Sequence, residues 1–171
     1  MKYLIRFLFY DYFEALYLSL ATILAKMTTT TFDSPIGIFA ITGDDAHGIF
    51  SIKKVAQHEA SVATAAEVLE CQKQLLEYFA GQRKIFDVRL NFVDAPAFHQ
   101  LVWKQLLQVP YGSTTTYSEI AQHLNQPKAS QAVGLANKMN RFAIVVPCHR
   151  VIGKNGHLTG YFYGLETKQK L

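Results

Sequence analysis

The sequence predicts an α+β protein in two units, a small sheet with one helix followed by a helical half, and three observations carry that prediction. Residues 32–54 alternate apolar and polar positions on either side of the turn "GDDAHG". Residues 59–80 carry apolar side chains at helical spacing up to a glycine. From residue 94 to residue 139 the chain reads as short amphipathic helices separated by Pro, Gly and Asn. At 171 residues there is length for one or two small cores. Half of the residues are hydrophobic and 18% are charged, which is the composition of a folded chain and excludes a disordered one.

Residues 1–26 stand apart from the rest. They are rich in Leu, Phe and Tyr, but Asp11 and Glu14 leave "ALYLSLATILA" as the longest uncharged piece. That piece is too short to span a bilayer, and no small-x-small cleavage site follows it. We read it as an extension ahead of a domain that opens at Met27, with no membrane role. Within residues 32–54, "IGIFAIT" and "GIFSIKK" predict two antiparallel strands joined as a hairpin. The helix expected over residues 59–80 places Val62, Ala66, Val68, Leu69, Leu75 and Phe79 on its apolar face, with Cys71 packed inside and Gly81 as its stop. "FDVRLN" is expected to return as a strand and close the first unit, residues 27–91.

The second unit, residues 92–171, begins with the helix "APAFHQLVWKQLLQVP", whose Phe98, Val102, Trp103 and Leu106 face a core. Helices over residues 118–124 and 128–139 follow, joined by "NQP", and together they read as a helix-turn-helix. This half holds eight bases against three acids, whereas residues 27–91 hold six bases against eight acids. A basic surplus on a helix-turn-helix points to nucleic acid. Cys71 and Cys148 are far apart and form no CxxC pair, so neither a disulfide framework nor a metal site is expected, and a reducing cytoplasm fits.

Cys148 lies in "VVPCHRVIG". "FAIVV" has the composition of a buried strand, which would put Pro147 and Cys148 at its end, facing a pocket. A free thiol of pKa about 8.5 is only a few per cent thiolate at neutral pH, so a nucleophile there needs help from His149 as a base or from the Arg150 charge. Taken alone, the Cys-His pair is more often the mark of a buried cysteine beside a solvent histidine.

Three segments together decide between these. "VPCHRVI", "GYFYGLETK" downstream and "FHQLVWKQLLQVPYGSTTTYSEIA" upstream resemble the 6-O-alkylguanine-DNA alkyltransferases, the methylated-DNA-protein-cysteine methyltransferases, from about residue 31 to the C-terminus. The resemblance implies a ribonuclease-H-like N-terminal sheet domain and a helical C-terminal domain with a winged-helix-type DNA reader. It implies DNA repair by irreversible, single-turnover transfer of the alkyl group of 6-O-methylguanine, and of 4-O-methylthymine, to the protein's own cysteine. The partner would be alkylated double-stranded DNA, held by a monomer from the minor groove with the damaged base flipped out and no cofactor. By matched motif, Cys148 is the alkyl acceptor and His149 its water-mediated base. Tyr117 contacts the target phosphate and purine ring, and Asn140 braces the loop before the cysteine. Tyr161 and Phe162 wall the base pocket, and Arg150, grouped with the DNA-binding and base-binding residues, supports the local structure.

The chain departs from that pattern at three places. Gln131 stands where the family usually carries the arginine that enters the base stack, and Leu171 ends the sequence ahead of the glutamate that orients the family's histidine. Tyr163 is expected to narrow the pocket against bulky alkyl groups. A noncatalytic sensor of alkylated DNA and a cysteine hydrolase are the competing readings. In the first the cysteine is replaced in known examples, and the second predicts turnover of small esters without an adduct.

Overall fold

The computed structural model describes residues 27–58 and 64–171. The extension read over residues 1–26 and the helix start expected at residues 59–63, Val62 included, lie outside the described residues. The first unit is an antiparallel sheet, β1 (Thr28–Ser34), β2 (Gly37–Asp44) and β3 (Gly48–Val55), paired in chain order. The predicted hairpin is β2–β3. β1 was not predicted, because "TTTTFDS" shows no apolar alternation and buries only Phe32. Its threonines act along the edge instead: the Thr29 and Thr42 hydroxyls share a 2.9 Å hydrogen bond across the pair.

The far edge of the sheet, β3, is covered by two segments from later in the chain. Ile49 N donates to Arg89 O at 2.7 Å and Asn91 N to Ile49 O at 2.8 Å, forming one parallel bridge between Ile49 and Leu90. Gly48, at φ +88°, permits this approach, since a Cβ there would run into the Arg89 carbonyl. "FDVRLN" is therefore not the strand expected of it. The buried Gln74 side chain takes both backbone groups of Asp87, donating to its carbonyl at 2.9 Å and accepting from its N–H at 2.8 Å, so no ladder forms there.

α1 (Ala66–Phe79) packs on the sheet through Val68, Cys71, Leu75 and Tyr78. The face is rotated from the expected one: Ala66 and Leu69 are exposed. Burial pushes the Cys71 thiol up to about 12, with the Glu67 and Glu70 carboxylates adding to the shift, so it is a packing residue and not a nucleophile.

α2 (Ala97–Leu106) buries Val102, Trp103 and Leu106, and Phe98 only in part. Trp103 Nε1 donates to Ala136 O at 2.9 Å, tying α2 to α4 (Ser130–Lys138). α3 (Tyr117–His123) is started by a capping box in which Thr116 Oγ1 accepts from Glu119 N and Glu119 Oε2 accepts from Thr116 N. Asn125, at φ 56°, turns the chain from α3 toward α4, and the two helices pack as the predicted helix-turn-helix with ends shifted by one or two residues. A parallel pair, β4 (Thr115–Thr116) with β5 (Val151–Ile152), and the short α5 (Leu165–Lys170) complete an α+β fold. The buried residues of both halves form one continuous cluster. No helix among the described residues is long and apolar enough to cross a membrane.

Candidate active site

The site is built where the second half meets the edge of the sheet. Ile52 N donates to Arg141 O at 2.7 Å and Ala143 N to Ile52 O at 3.0 Å, so β3 grips the chain a few residues before Cys148. The strand expected over "FAIVV" stops after that single bridge. Residues 142–146 are all buried, as their composition predicts, but Val145 N bonds Ala143 O and Val146 N bonds Phe142 O, which coils the chain into a tight turn. Ile144 sits at φ 72°, where a β-branched residue is strained by about 1–3 kcal/mol. Its side chain is 1% exposed, and burial of that size holds the strained turn in place.

Asn140 braces this turn. Its Oδ1 accepts from Phe142 N at 2.9 Å, and its Nδ2 donates to Val146 O at 2.9 Å and to Cys148 Sγ at 3.1 Å. Cys148 begins a one-turn 3-10 helix, Cys148–Arg150, and is 9% exposed. Burial pushes its thiol up, while the Asn140 N–H and the Lys168 ammonium pull it back toward the thiolate. Cys148 lies in the wall of a pocket of about 420 Å³, together with Tyr117 from α3, Gly134, Asn137 and Lys138 from α4, and Gly160, Tyr161 and Phe162 from the loop before α5. Tyr117 Oη reaches across to donate to Thr159 O at 3.5 Å.

The pocket thus gathers Cys148, Tyr117, Tyr161 and Phe162, with Asn140 behind the sulfur. Gln131 is exposed on the first turn of α4, outside the pocket. Arg150 points elsewhere: Nη1 donates to Val109 O at 2.8 Å and the guanidinium lies over the Tyr111 ring, so it supports the turn that follows α2. Tyr163 does not narrow the pocket as expected. Its hydroxyl accepts from Lys54 N at 3.1 Å and its ring meets Phe39 edge-on, which turns it toward the sheet.

His149 is 5% exposed, and neither ring nitrogen has a hydrogen-bond partner among the described residues. Burial, with Arg150 and Lys168 nearby, holds its pKa down at about 3, so the ring is neutral at any pH at which the protein works. Between the folded value and the ordinary 6.5, only the unfolded chain binds the proton. This contribution to stability is therefore complete above pH 6.5 and is lost as the pH falls toward 3. About 2.5 kcal/mol should disappear between pH 7 and pH 4.5. Urea melts will show this as a falling midpoint, and His149→Gln should flatten the dependence; an equal fall in both proteins would place the sensitivity elsewhere.

Lys168 escaped the sequence reading. It is 3% exposed, and its ammonium donates to Val151 O at 2.6 Å, Thr159 O at 2.6 Å and Gly160 O at 3.3 Å, clasping the loop that carries Tyr161 and Phe162. A lysine in a polar terminal helix gives no signal that it turns inward.

Cys148 thus lines a pocket walled by the second helix of a helix-turn-helix. Two family models match the chain: the 6-O-methylguanine DNA methyltransferase ribonuclease-like domain over residues 27–92, and the DNA binding domain of the same methyltransferase over residues 97–171. The chain is similar to the methylated-DNA–protein-cysteine methyltransferase of Methanosarcina acetivorans, at 46% identity over 82% of this chain and 92% of the relative. It is also similar to the enzyme of that name from Mycolicibacterium paratuberculosis, at 44% identity over 82% and 87%. Among solved structures, the 6-O-methylguanine methyltransferase of Mycobacterium tuberculosis matches with a TM-score of 0.73 at 41% identity, over 85% of this chain and 90% of that one. The M. tuberculosis OGT in complex with DNA matches with a TM-score of 0.72 at 42% identity, over 82% and 88%. The chain belongs to the 6-O-methylguanine-DNA methyltransferase family.

Proposed function

We propose that this protein repairs DNA by moving the alkyl group of 6-O-methylguanine, and of 4-O-methylthymine, onto the sulfur of Cys148, once per molecule. The observation that carries the reading is the Cys148 thiol itself, braced by Asn140 at 3.1 Å and opening into the pocket that Tyr117 and Asn137 of the helix-turn-helix wall. In the transfer, the Sγ–carbon bond forms as the carbon–O6 bond breaks, the bonding pair passes to the base, and the thiol proton ends on N1 of the restored guanine. The balance closes between thiol and lesion, with no cofactor or metal in it. The thiol is protonated at rest, so it must lose its proton on the way to attack. The matched motif assigns that proton to His149 through a water; burial, which holds the imidazole down at about 3, works against the transfer, while the Asn140 N–H and the Lys168 charge stabilise the thiolate.

Residues 27–91 serve as the scaffold whose β3 edge fixes the cysteine turn, and residues 92–171 as the catalytic and DNA-binding unit. The protein acts as a monomer in the cytoplasm and approaches duplex DNA from the minor groove. α4 faces the groove, Gln131 fills the place of the flipped nucleotide, and Tyr117 holds the target phosphate. Glutamine is uncharged and shorter than arginine, so it supports flipping through its amide alone.

The test is an intact mass after incubation with an excess of duplex oligonucleotide holding one 6-O-methylguanine. One methyl per protein, mapped to the Cys148 peptide, with guanine restored in the DNA, is the expected result. A methyl on Cys71, continued turnover, or ester hydrolysis without an adduct would overturn the reading.

A further inference from the structure

A second cavity, of about 430 Å³, lies between β3 and the start of α2 and shares Phe162 and Lys138 with the Cys148 pocket. Its wall carries four cations, Lys53 and Lys54 from β3 with Lys138 and Arg141 from the end of α4 and the chain just after it, against one carboxylate, Asp94. None of the four is in an ion pair among the described residues; the pairs all lie elsewhere. Glu166 senses Lys54, but its carboxylate is held first by Lys170, at 2.7 Å. Arg141 spends only Nη2, on Asn91 O at 2.9 Å. The start of α2 adds to the field, since Pro96 and His99 line the cavity and no side chain caps the helix. Positive charge gathered in a cleft without acids to balance it attracts an anion.

From four cations without acidic partners and an exposed ring beside the thiol pocket, we infer that this cleft binds single-stranded nucleic acid, taking the backbone phosphates that flank a nucleotide seated in the Cys148 pocket. The inference rests on the proposed repair function for its choice of ligand, and it adds a second contact surface separate from the helix-turn-helix. Phosphates suit the charge, because lysines serve them as point charges and a guanidinium as a fork. Phe162 supplies the other half of the arrangement. It is 72% exposed and borders both cavities, so a base leaving one for the other has a ring face to stack on. A basic cleft beside an aromatic platform holds single strands whatever their sequence, since every base has a face and every linkage a charge. Duplex DNA is too stiff to use it. The neighbours of a flipped nucleotide stay paired and stacked, whereas an unpaired strand can bend around Phe162 into the cleft. The cleft therefore adds affinity for single strands and leaves duplex affinity to the helix-turn-helix.

The experiment titrates the full chain with an undamaged single-stranded oligonucleotide and with its duplex, at several salt concentrations. The double variant Lys53→Gln, Lys54→Gln should bind the single strand about tenfold more weakly and the duplex within about twofold of wild type. Its slope of log Kd against log salt should fall by about 1.4 on the single strand, the value for two phosphate contacts, and stay unchanged on the duplex. Lys73→Gln, which removes a charge from the exposed face of α1, should leave both affinities as they are. Retained duplex binding also shows that the double variant is folded. An equal loss on both forms would assign the effect to net charge and overturn the inference, as would an unchanged single-strand affinity. Inorganic pyrophosphate tests the free source of the same chemistry: saturable binding that the double variant loses, with single-strand affinity intact, would make the ligand a free phosphate and overturn the assignment to a strand. A wild type that binds the single strand as expected but takes no methyl from 6-O-methylguanine would instead remove the repair function, and the titrations would still decide the cleft.

Discussion

Replacing Cys148 by alanine is expected to abolish methyl uptake while leaving affinity for duplex DNA within about twofold of wild type. The separation follows from geometry. Cys148 is 9% exposed at the pocket wall, whereas the groups on the outer face of α4, such as Gln131, are exposed. Losing the sulfur removes a single short side chain, and the Asn140 Nδ2 that donates to it keeps its other acceptor, Val146 O, at 2.9 Å. The cysteine turn should therefore survive, with a stability change of about 1 kcal/mol. Cys148→Ser is the sharper control, since it keeps the shape but replaces the thiol by a hydroxyl of far higher pKa, and its transfer should also fall below detection. The second thiol cannot substitute, because Cys71 is sealed in α1 and its pKa is pushed up to about 12. The measurement is radiolabel transfer alongside a binding titration. Wild-type uptake by Cys148→Ala would place the acceptor elsewhere.

How far the sequence disclosed this arrangement depended on whether a feature was local. The hairpin, the helix-turn-helix and the helix carrying Trp103 were legible because each repeats an apolar period within one segment. β1 was hidden because its threonines pair through backbone and hydroxyls at a half-exposed edge, with no hydrophobic alternation to detect. "FAIVV" misled for the opposite reason. Its β-branched content is right for burial, and only the grip of β3 on Arg141 and Ala143, followed by the left-handed Ile144, turns buried chain into a coil that presents a cysteine. Tyr163 was assigned to the pocket by its neighbours in sequence, but a contact more than a hundred residues away, at the Lys54 N–H, directs it to the sheet. The nucleophile was legible by motif. The inward lysine at Lys168, whose charge acts on that thiol, depends on carbonyl partners that no local pattern encodes.

Lys168→Met should have the next largest effect, and it should be visible in two independent ways. The lysine is 3% exposed, and its ammonium supplies donors to Val151 O and Thr159 O at 2.6 Å each. Methionine fills a similar volume but leaves those carbonyls without their charged donor, which should cost about 2–4 kcal/mol and lower the melting temperature. Thr159 O is also the acceptor for Tyr117 Oη, so loosening the clasp frees the loop carrying Tyr161 and Phe162 and the tyrosine opposite it together. A pocket held less firmly loses near-attack geometry, and the transfer rate at pH 7.5 should fall about a hundredfold. The second signature is electrostatic. Burial raises the Cys148 thiol and the Lys168 charge opposes that rise, so removing the charge must move the thiol further up. Both thiols stand above the ordinary value, so both rates should climb with pH at a constant deficit, and the variant should go on climbing at pH values where wild type has levelled off. Rates measured from about pH 7 to 10.5 on both proteins separate the two effects. Rates that level off at the same pH with the deficit unchanged would mean that Lys168 only positions the loop, and an unchanged rate with an unchanged melt would mean that the three carbonyls find other donors and the clasp does neither.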